Sequence, residues 1–527
     1  MSSAGELPSS WLRITIGDCC LLRSGVGFPE NIQGRQYLAV PVFKVGDISL
    51  AAREGRTLLD TSPNTVDQKT AGNLMKVLIP PGATVFAKIG AAIGLNRRAI
   101  TARPCIVDNN VMAAVPNTNC IEPLYLFQFM QTVHLLEKSQ ATTVPSVRKG
   151  DIEDIPIPLA PLPEQRSIVE ALDSYLTRLD AATEGLKRVE ANLKRYRASV
   201  LKAAVDGKLV PTEADLAKKE KREFEPASVL LERILKERRH RWEQAELAKM
   251  RAKGEVPKND KWKDKYEEPA TPDTSELPEL PEGWCWTTVS QLVAHEEYSL
   301  AIGPFGSNLK VSDYADDGVP LVFVRNIRAE QFTELDDKFV SREKSEELRA
   351  HTICGGDLLV TKMGDPPGDV AIYPIGAPNA IITADCIKLR AQVLLNSEFL
   401  LWMLRSASVQ SFISGITKGV AQKKVSLGRF AHVTVPLAPL SEQFRIAAEI
   451  SRLQSEAVNT VVSVSRIQTR IDRLRQSILR WAFEGKLVDQ DPNDEPASVL
   501  LERIRSERES SKPVKTSKPE RAKRKTA

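Results

Sequence analysis

Basic, amide and hydroxyl side chains gather in short loops in two separate stretches of this chain. The first stretch holds Lys88, Asn96-Arg97-Arg98, Asn109-Asn110 and Ser146-Val147-Arg148-Lys149. The second holds Ser307, Asn308 and Lys310, then Arg325-Asn326-Ile327-Arg328, Lys362 and Gln422-Lys423-Lys424. Arginine and lysine can pair with guanine edges, asparagine and glutamine with adenine edges, and lysine and serine can hold phosphates. A single polar loop says little, because exposed loops are polar anyway. Two stretches that both place basic pairs, Arg148-Lys149 and Lys423-Lys424, just ahead of a long helix say more. The chemistry they suggest is nucleic-acid readout.

Catalytic patterns are missing from the sequence. There is no Gly-x-x-x-x-Gly-Lys-Ser/Thr phosphate loop, no Gly-x-Ser-x-Gly elbow and no His-Glu-x-x-His zinc helix. The five histidines stand apart from one another, as packing or surface residues do. Asp365-Pro366-Pro367 is close to the Asp-Pro-Pro-aromatic motif of amino-methyltransferases, but Gly368 stands where the base-stacking ring would be. A Pro-rich turn is the simpler reading. No catalytic or metal-ligating residues are expected in this chain.

Bulk charge adds little. The net charge is +5, but Arg505–Ala527 carries nine Lys/Arg against three Glu, so the remainder is near neutral. Any nucleic-acid contact must come from local patches. No apolar run approaches the roughly 20 residues of a membrane span. The start of the chain lacks the pattern of a signal peptide. The seven cysteines show no Cys-x-x-Cys spacing and suit reduced thiols in a cytoplasmic protein.

The elements that must position these loops are written twice. Pro158–Gln165 returns as Pro436–Gln443, Ala204–Val210 as Ala482–Val488, and Glu225–Ile234 as Glu495–Ile504. Residues 1–157 read as a mixed domain with short strands over Tyr37–Val45, Lys76–Ile79, Ala83–Ile89 and Val111–Val115 and a helix over Leu124–Leu136. Residues 280–435 repeat that outline. Residues 158–211 and 436–488 form long helices with apolar residues in 4,3 steps. The first seam is Ile168, Leu172, Tyr175, Leu179, Leu186, Val189, Leu193 and Tyr196. The second is Ile446, Ile450, Leu453, Val464, Ile467, Ile471, Leu474 and Ile478.

Seams matched in length and register can bury each other. The expected fold is therefore mixed α/β: two similar globular domains separated by two long helices that form an antiparallel coiled coil, with a pseudo-twofold internal repeat. Such a pair could act as a ruler, since a seam of roughly 50 Å exceeds one B-DNA turn of about 34 Å. Residues 212–279 read as a charged helical arm, whose Trp242, Trp262 and Tyr266 suggest docking although core packing is the commoner explanation for such residues, followed by a Pro-rich linker. Residues 489–527 read as a short helix and a basic, disordered tail.

The whole pattern resembles the specificity subunits of type I restriction–modification systems. The likeness rests on Pro161-Leu162-Pro163-Glu164-Gln165 and Pro439-Leu440-Ser441-Glu442-Gln443, on Gly-Lys-Leu-Val at 207–210 and 485–488, and on Gly303-Pro304-Phe305-Gly306-Ser307 with Gly356–Gly364. It implies a non-catalytic subunit with two target-recognition domains, each reading half of an interrupted, asymmetric double-stranded DNA site. It implies helices that space these domains and dock two modification (methyltransferase) subunits, with restriction (translocase–nuclease) subunits joining later. S-adenosylmethionine, ATP and Mg would then sit on partner subunits and no cofactor on this chain. Two rival readings remain. A self-sufficient methyltransferase would need the missing cofactor loop and aromatic residue. A coiled-coil DNA-binding or interaction protein outside restriction would not need two divergent domains.

Overall fold

The computed structural model describes residues 6–139, 144–257, 259–328, 331–419 and 423–510. It comprises two compact units, Met1–Lys187 with Ser465–Ala527, and Arg188–Val464. Each unit holds one globular domain, the first half of the helix that follows it and the second half of the other long helix.

In the first unit a five-stranded sheet runs in the order Cys20–Ser24, Val111–Pro116, Thr84–Ala87, Arg98–Thr101, Leu58–Leu59. A three-stranded sheet places Val40–Phe43 between Thr65–Val66 and Ile106–Val107. In the second unit Leu300–Ile302, Cys386–Leu389, Leu358–Thr361 and Val370–Ile372 follow the same order as the first four strands of that sheet. Val319–Val322 runs parallel to Ala380–Ile382, as Val40–Phe43 does to Ile106–Val107. The repeat is therefore one of topology, not only of motifs. Gly82 (φ 83°) and Gly356 (φ 92°) make the same left-handed turn into the central strands, a conformation that favours glycine.

Both domains are closed at the base by pairing their first and last strands, Leu12–Thr15 with Pro156–Leu159 and Cys285–Thr288 with Thr434–Leu437. The repeated Glu-Gln of the helix starts explains itself here. Glu164 accepts a hydrogen bond from Trp11 Nε1 (2.9 Å), and Glu442 accepts one from Trp284 Nε1 (3.0 Å). Gln165 accepts from the Glu122 N–H and donates to the carbonyls of Cys120 and Ala160. Gln443 accepts from the Asn396 N–H and donates to the Ala438 carbonyl. All four side chains are buried, so each clamp exchanges water for fixed partners and locks the domain to its helix.

The long helices span Leu162–Val205 and Leu440–Phe483, 44 residues each. In the first unit Ile168, Leu172 and Leu179 share a core with Ile471 and Ile478, and Asp180 pairs with Arg475. In the second, Val200 and Ala204 share a core with Ile446 and Ile450. The start of one helix thus meets the end of the other, which is the antiparallel arrangement. The seam is narrower than its 4,3 spacing suggests. Leu172, Leu179, Val200, Ile450, Val464, Ile471 and Ile478 are buried, and Leu186, Leu193 and Leu453 are half-buried. Tyr175, Val189, Tyr196, Ile467 and Leu474 are exposed by 41–47%. Ile168 and Ile446 at the helix starts are buried, but further along one heptad position faces the partner helix and the other opens to solvent, leaving an apolar row on each helix.

Two local expectations change, and the arm follows its simpler reading. The strand expected over Tyr37–Val45 is only Val40–Phe43, and Val45–Arg53 is helical. Lys76–Ile79 forms no regular strand: Ile79 makes an isolated bridge to Cys105, and Pro80-Pro81 cannot extend the ladder. The arm helix Ala227–Ala252 does not need a partner for its aromatic residues, because Trp242 stacks on Trp262 (6.0 Å between centroids) and meets Tyr266 at 5.2 Å. The Pro-rich linker is tied to its own domain, with Trp286 Nε1 donating to the Pro278 carbonyl and the Thr288 hydroxyl to the Ala270 carbonyl. The basic tail from residue 511 lies outside the described residues.

Candidate nucleic-acid interface

Three loop ends meet at Lys88 in the first unit. Its N–H donates to the Asn110 carbonyl (2.9 Å), and its own carbonyl accepts from the Val147 N–H (3.0 Å). Ile89 bridges Ser146 beside it, and the Gly90 N–H donates to the Pro145 carbonyl (2.8 Å). Lys88, Asn109, Asn110, Ser146 and Arg148 therefore lie along one rim, with Asn109 and Arg148 exposed. The Asp108 carboxyl behind them is raised by burial and pulled back by the Asn110 N–H and the charges of Lys44 and Lys88.

Lys362 occupies the same setting in the second unit. Its N–H donates to the Asp385 carbonyl (2.8 Å), and its carbonyl accepts from the Val425 N–H (3.0 Å). Gly25 and Gly303 behave alike as well. A Cβ on Gly25 would lie 1.8 Å from the Asp108 carbonyl oxygen, and one on Gly303 would lie 2.0 Å from that of Thr383. Only glycine lets the loop after the first sheet strand press this closely on its neighbour. The two loops that differ in sequence, Ser24–Pro29 and Ile302–Ser307, thus share an anchor and diverge beyond it.

The backbone equivalence sets the register of the basic pairs. With Val147 opposite Val425, Ser146 corresponds to Lys424, Arg148 to Ser426 and Lys149 to Leu427. The pairs Arg148-Lys149 and Lys423-Lys424 are neighbours of equivalent positions rather than equivalents. Lys149 pairs with Glu153 (3.3 Å) on its own short helix. Lys423 reaches Asp365 (3.3 Å), and Lys424 bridges Met363 and Lys418. Gln422 lies outside the described residues.

Several sequence candidates are structural. Arg98 is only 3% exposed, lies over Phe86, and donates to Asn96 Oδ1 (2.7 Å) and to the Val133 carbonyl (3.2 Å). Burial pushes its guanidinium down to about 10. Asn96 is left-handed (φ 50°) and spends its side chain on Arg98 and the Gln131 carbonyl. Asn326 is 2% exposed, accepts from the Phe323 N–H and donates to the Glu334 carbonyl. Polar type marked these three for readout, but local turn geometry consumes their hydrogen bonds. Arg97 stays half-buried beside them. Arg325 is exposed but stacks on Phe323 (4.2 Å) and pairs with Asp336 (2.8 Å).

Arg328 is exposed. The Asp369 carboxyl, raised by burial, is pulled back by the charges of Arg405 and Arg328. Ser307, Asn308 and Lys310 are exposed on the loop beyond Gly303. Ser307 donates to Asn308 (3.3 Å), and the Lys310 N–H caps the next turn on Asp313 (2.7 Å). Two residues were missed. Thr361 Oγ1 accepts from the N–H groups of Gly368 and Asp369 (2.9 Å each) and shapes the Pro-rich loop. Phe305 is 63% exposed, with the Lys362 ammonium 5.3 Å from its ring centroid. A selection based on hydrogen-bonding types passes over an apolar ring.

Among the described residues, no group of three His, Cys, Asp or Glu side chains could hold a metal ion, and no helix is long and apolar enough to cross a membrane. What each rim offers is cations and amides on glycine-anchored loops, suited to binding and reading a polyanion.

Known proteins resemble this chain in sequence and fold. The family model for the type I restriction modification DNA specificity domain matches residues 8–191 and 323–461, more than half of the chain. The EcoBI specificity subunit of Escherichia coli is 22% identical over 533 residues, covering 97% of this chain and 95% of that one. The EcoDI specificity subunit, also of E. coli, is 23% identical, covering 98% and 99%. Among solved structures, the HsdS subunit from Thermoanaerobacter tengcongensis aligns with a TM-score of 0.53 at 18% identity, covering 92% of this chain and 99% of that one. A chain from a study of complex assembly and conformational transition of the type I R-M system aligns with a TM-score of 0.56 at 17% identity, covering 92% and 100%.

Proposed function

The chain belongs to the type I restriction modification DNA specificity family, and on that premise we propose that it selects the DNA sequence for a restriction–modification complex. Each globular domain reads one half of a bipartite, asymmetric site in double-stranded DNA, using the rim at Lys88 in one and at Lys362 in the other. The observation that carries this reading is the duplication itself. One fold occurs twice, with the same strand order, the same lysine setting and the same Trp–Glu and Gln clamp to a long helix. The loops beyond the shared anchors differ, as two readers of different bases require.

The paired helices fix the gap between the half-sites. Their open apolar rows, with Tyr175, Val189, Tyr196, Ile467 and Leu474, give two methyltransferase subunits a surface to cover, since rows of large apolar residues in water favour a partner. The chemistry then resides in those partners. S-adenosylmethionine serves methylation there, and ATP with Mg serves restriction subunits that join the complex in the cytoplasm. This chain contributes no catalytic group, and extrusion of the target base falls to the methylating partner.

Exchange of residues 280–435 for the matching domain of a relative with a known site tests the reading. The methylated sequence is expected to change in one half-site only, with gap and other half unchanged. A change in both halves would contradict it.

A further inference from the structure

Phe305 is a large apolar ring left in water among cations. It is 63% exposed, on the loop that Gly303 anchors against the Thr383 carbonyl. Lys362 lies over it, with its ammonium 5.3 Å from the ring centroid and held by the Ala384 carbonyl (3.0 Å). Lys424 joins the same rim through its bridge to Met363, and Lys423 extends it. Asp365, an exposed anion on this rim, is already engaged by Lys423. The turn behind the ring is fixed by the Asn308 N–H donating to the Phe305 carbonyl (2.8 Å), so the ring is presented rather than loosely draped. On the corresponding loop of the first domain Phe28 is instead half-buried, packs against the inter-sheet core and is covered by Lys44.

Phosphates would satisfy the lysines, but they give the ring nothing. In the major groove the apolar group on offer is the thymine 5-methyl. The geometry points to Phe305 as a specificity-determining residue that contacts a thymine methyl in the second half-site, while Lys362 and Lys424 hold the flanking phosphates. This rests on the DNA-reading function proposed above and names one of its contacts. Losing an apolar base contact of this kind costs about tenfold in affinity, near the low end of a single mismatched base pair.

The test uses the full chain with its methyltransferase partner and duplexes in which each thymine of the second half-site is replaced in turn by uracil, which lacks only the methyl. The native complex is expected to lose about tenfold in affinity at one position. Phe305→Ala should bind the thymine duplex as weakly as the native complex binds the uracil one, and should show no further loss with uracil. Phe305→Leu should keep part of the discrimination, and retained rejection of base changes elsewhere in the second half-site reports that the second domain of each variant is folded. The inference is overturned if no thymine is sensitive, if the uracil penalty survives in Phe305→Ala, or if that variant weakens all sequences equally. A native complex that selects no bipartite sequence would instead overturn the DNA-reading function itself.

Discussion

The two globular domains share a frame and differ inside it. Between its two sheets the first domain has an apolar core in which Ala83, Val85, Ala99 and Ala113 are fully buried. The strand registers place Asp357 opposite Ala83, Lys388 opposite Ala113 and Arg390 opposite Val115. There the second domain has an ion network instead. Lys388, 2% exposed, donates to the carbonyls of Ala350 (3.3 Å) and Thr352 (2.8 Å), and burial pushes its ammonium down to about 8. Arg390 grips Asp357 through two hydrogen bonds (2.8 and 2.9 Å) and reaches Glu296 (3.1 Å). The apolar core splits into two smaller clusters around this network. The difference shows where a duplicated reader is free to change. Strand order, basal strand pair and helix clamp are held, while the inter-sheet interior and the loop tips diverge.

Breaking the ion network should separate the domains most. Asp357→Ala strips two hydrogen bonds from Arg390, leaving it Glu296 alone, and removes an attracting charge from buried Lys388; it is expected to cost the second domain about 3 kcal/mol. Domain-resolved hydrogen exchange should show the second domain opening earlier while the first stays unchanged. Equal loosening of both would contradict the separation.

The clamps sharpen the comparison. Glu442 accepts from Trp284 and also from the Glu213 N–H (2.8 Å), whereas Glu164 accepts from Trp11 and its Oε1 is buried with no hydrogen-bond partner. Glu442→Ala therefore strands two donors and Glu164→Ala one. The expected losses are about 2 and about 1 kcal/mol respectively, read from denaturant unfolding. The reverse order would mean that Glu164 has a partner of its own.

The equivalent lysines should show the smallest difference. Lys88→Ala and Lys362→Ala are each expected to lower the slope of log affinity against log salt by about one, as the loss of one phosphate contact does. A salt slope unchanged in either variant would remove that lysine from the interface.

Much of this frame was legible in the sequence, because the residues that hold it recur as words: Glu164-Gln165 and Glu442-Gln443, Trp11 and Trp284, Lys88 and Lys362. The words did not reveal their physics. Nothing in the chain alone says that a glutamate opening a helix waits for an indole nitrogen more than 150 residues away. Site residues were less legible, because a polar side chain in a loop can face water or its own backbone. Arg98, Asn96 and Asn326 do the latter, and Phe305 was passed over because it has no hydrogen bonds to give. The helix seam misled in another way: 4,3 spacing marks two apolar positions per heptad, but one of them here faces solvent.

The central claim is that this chain directs modification to a two-part DNA sequence. Modified-base sequencing of DNA from cells carrying this gene with its methyltransferase partner, against cells lacking it, tests that most directly. A new methyl-adenine mark on a bipartite motif with a fixed gap is the predicted result. With the partner shown to be active alongside another specificity subunit, the absence of any new mark, or a mark on a continuous motif, would contradict the account.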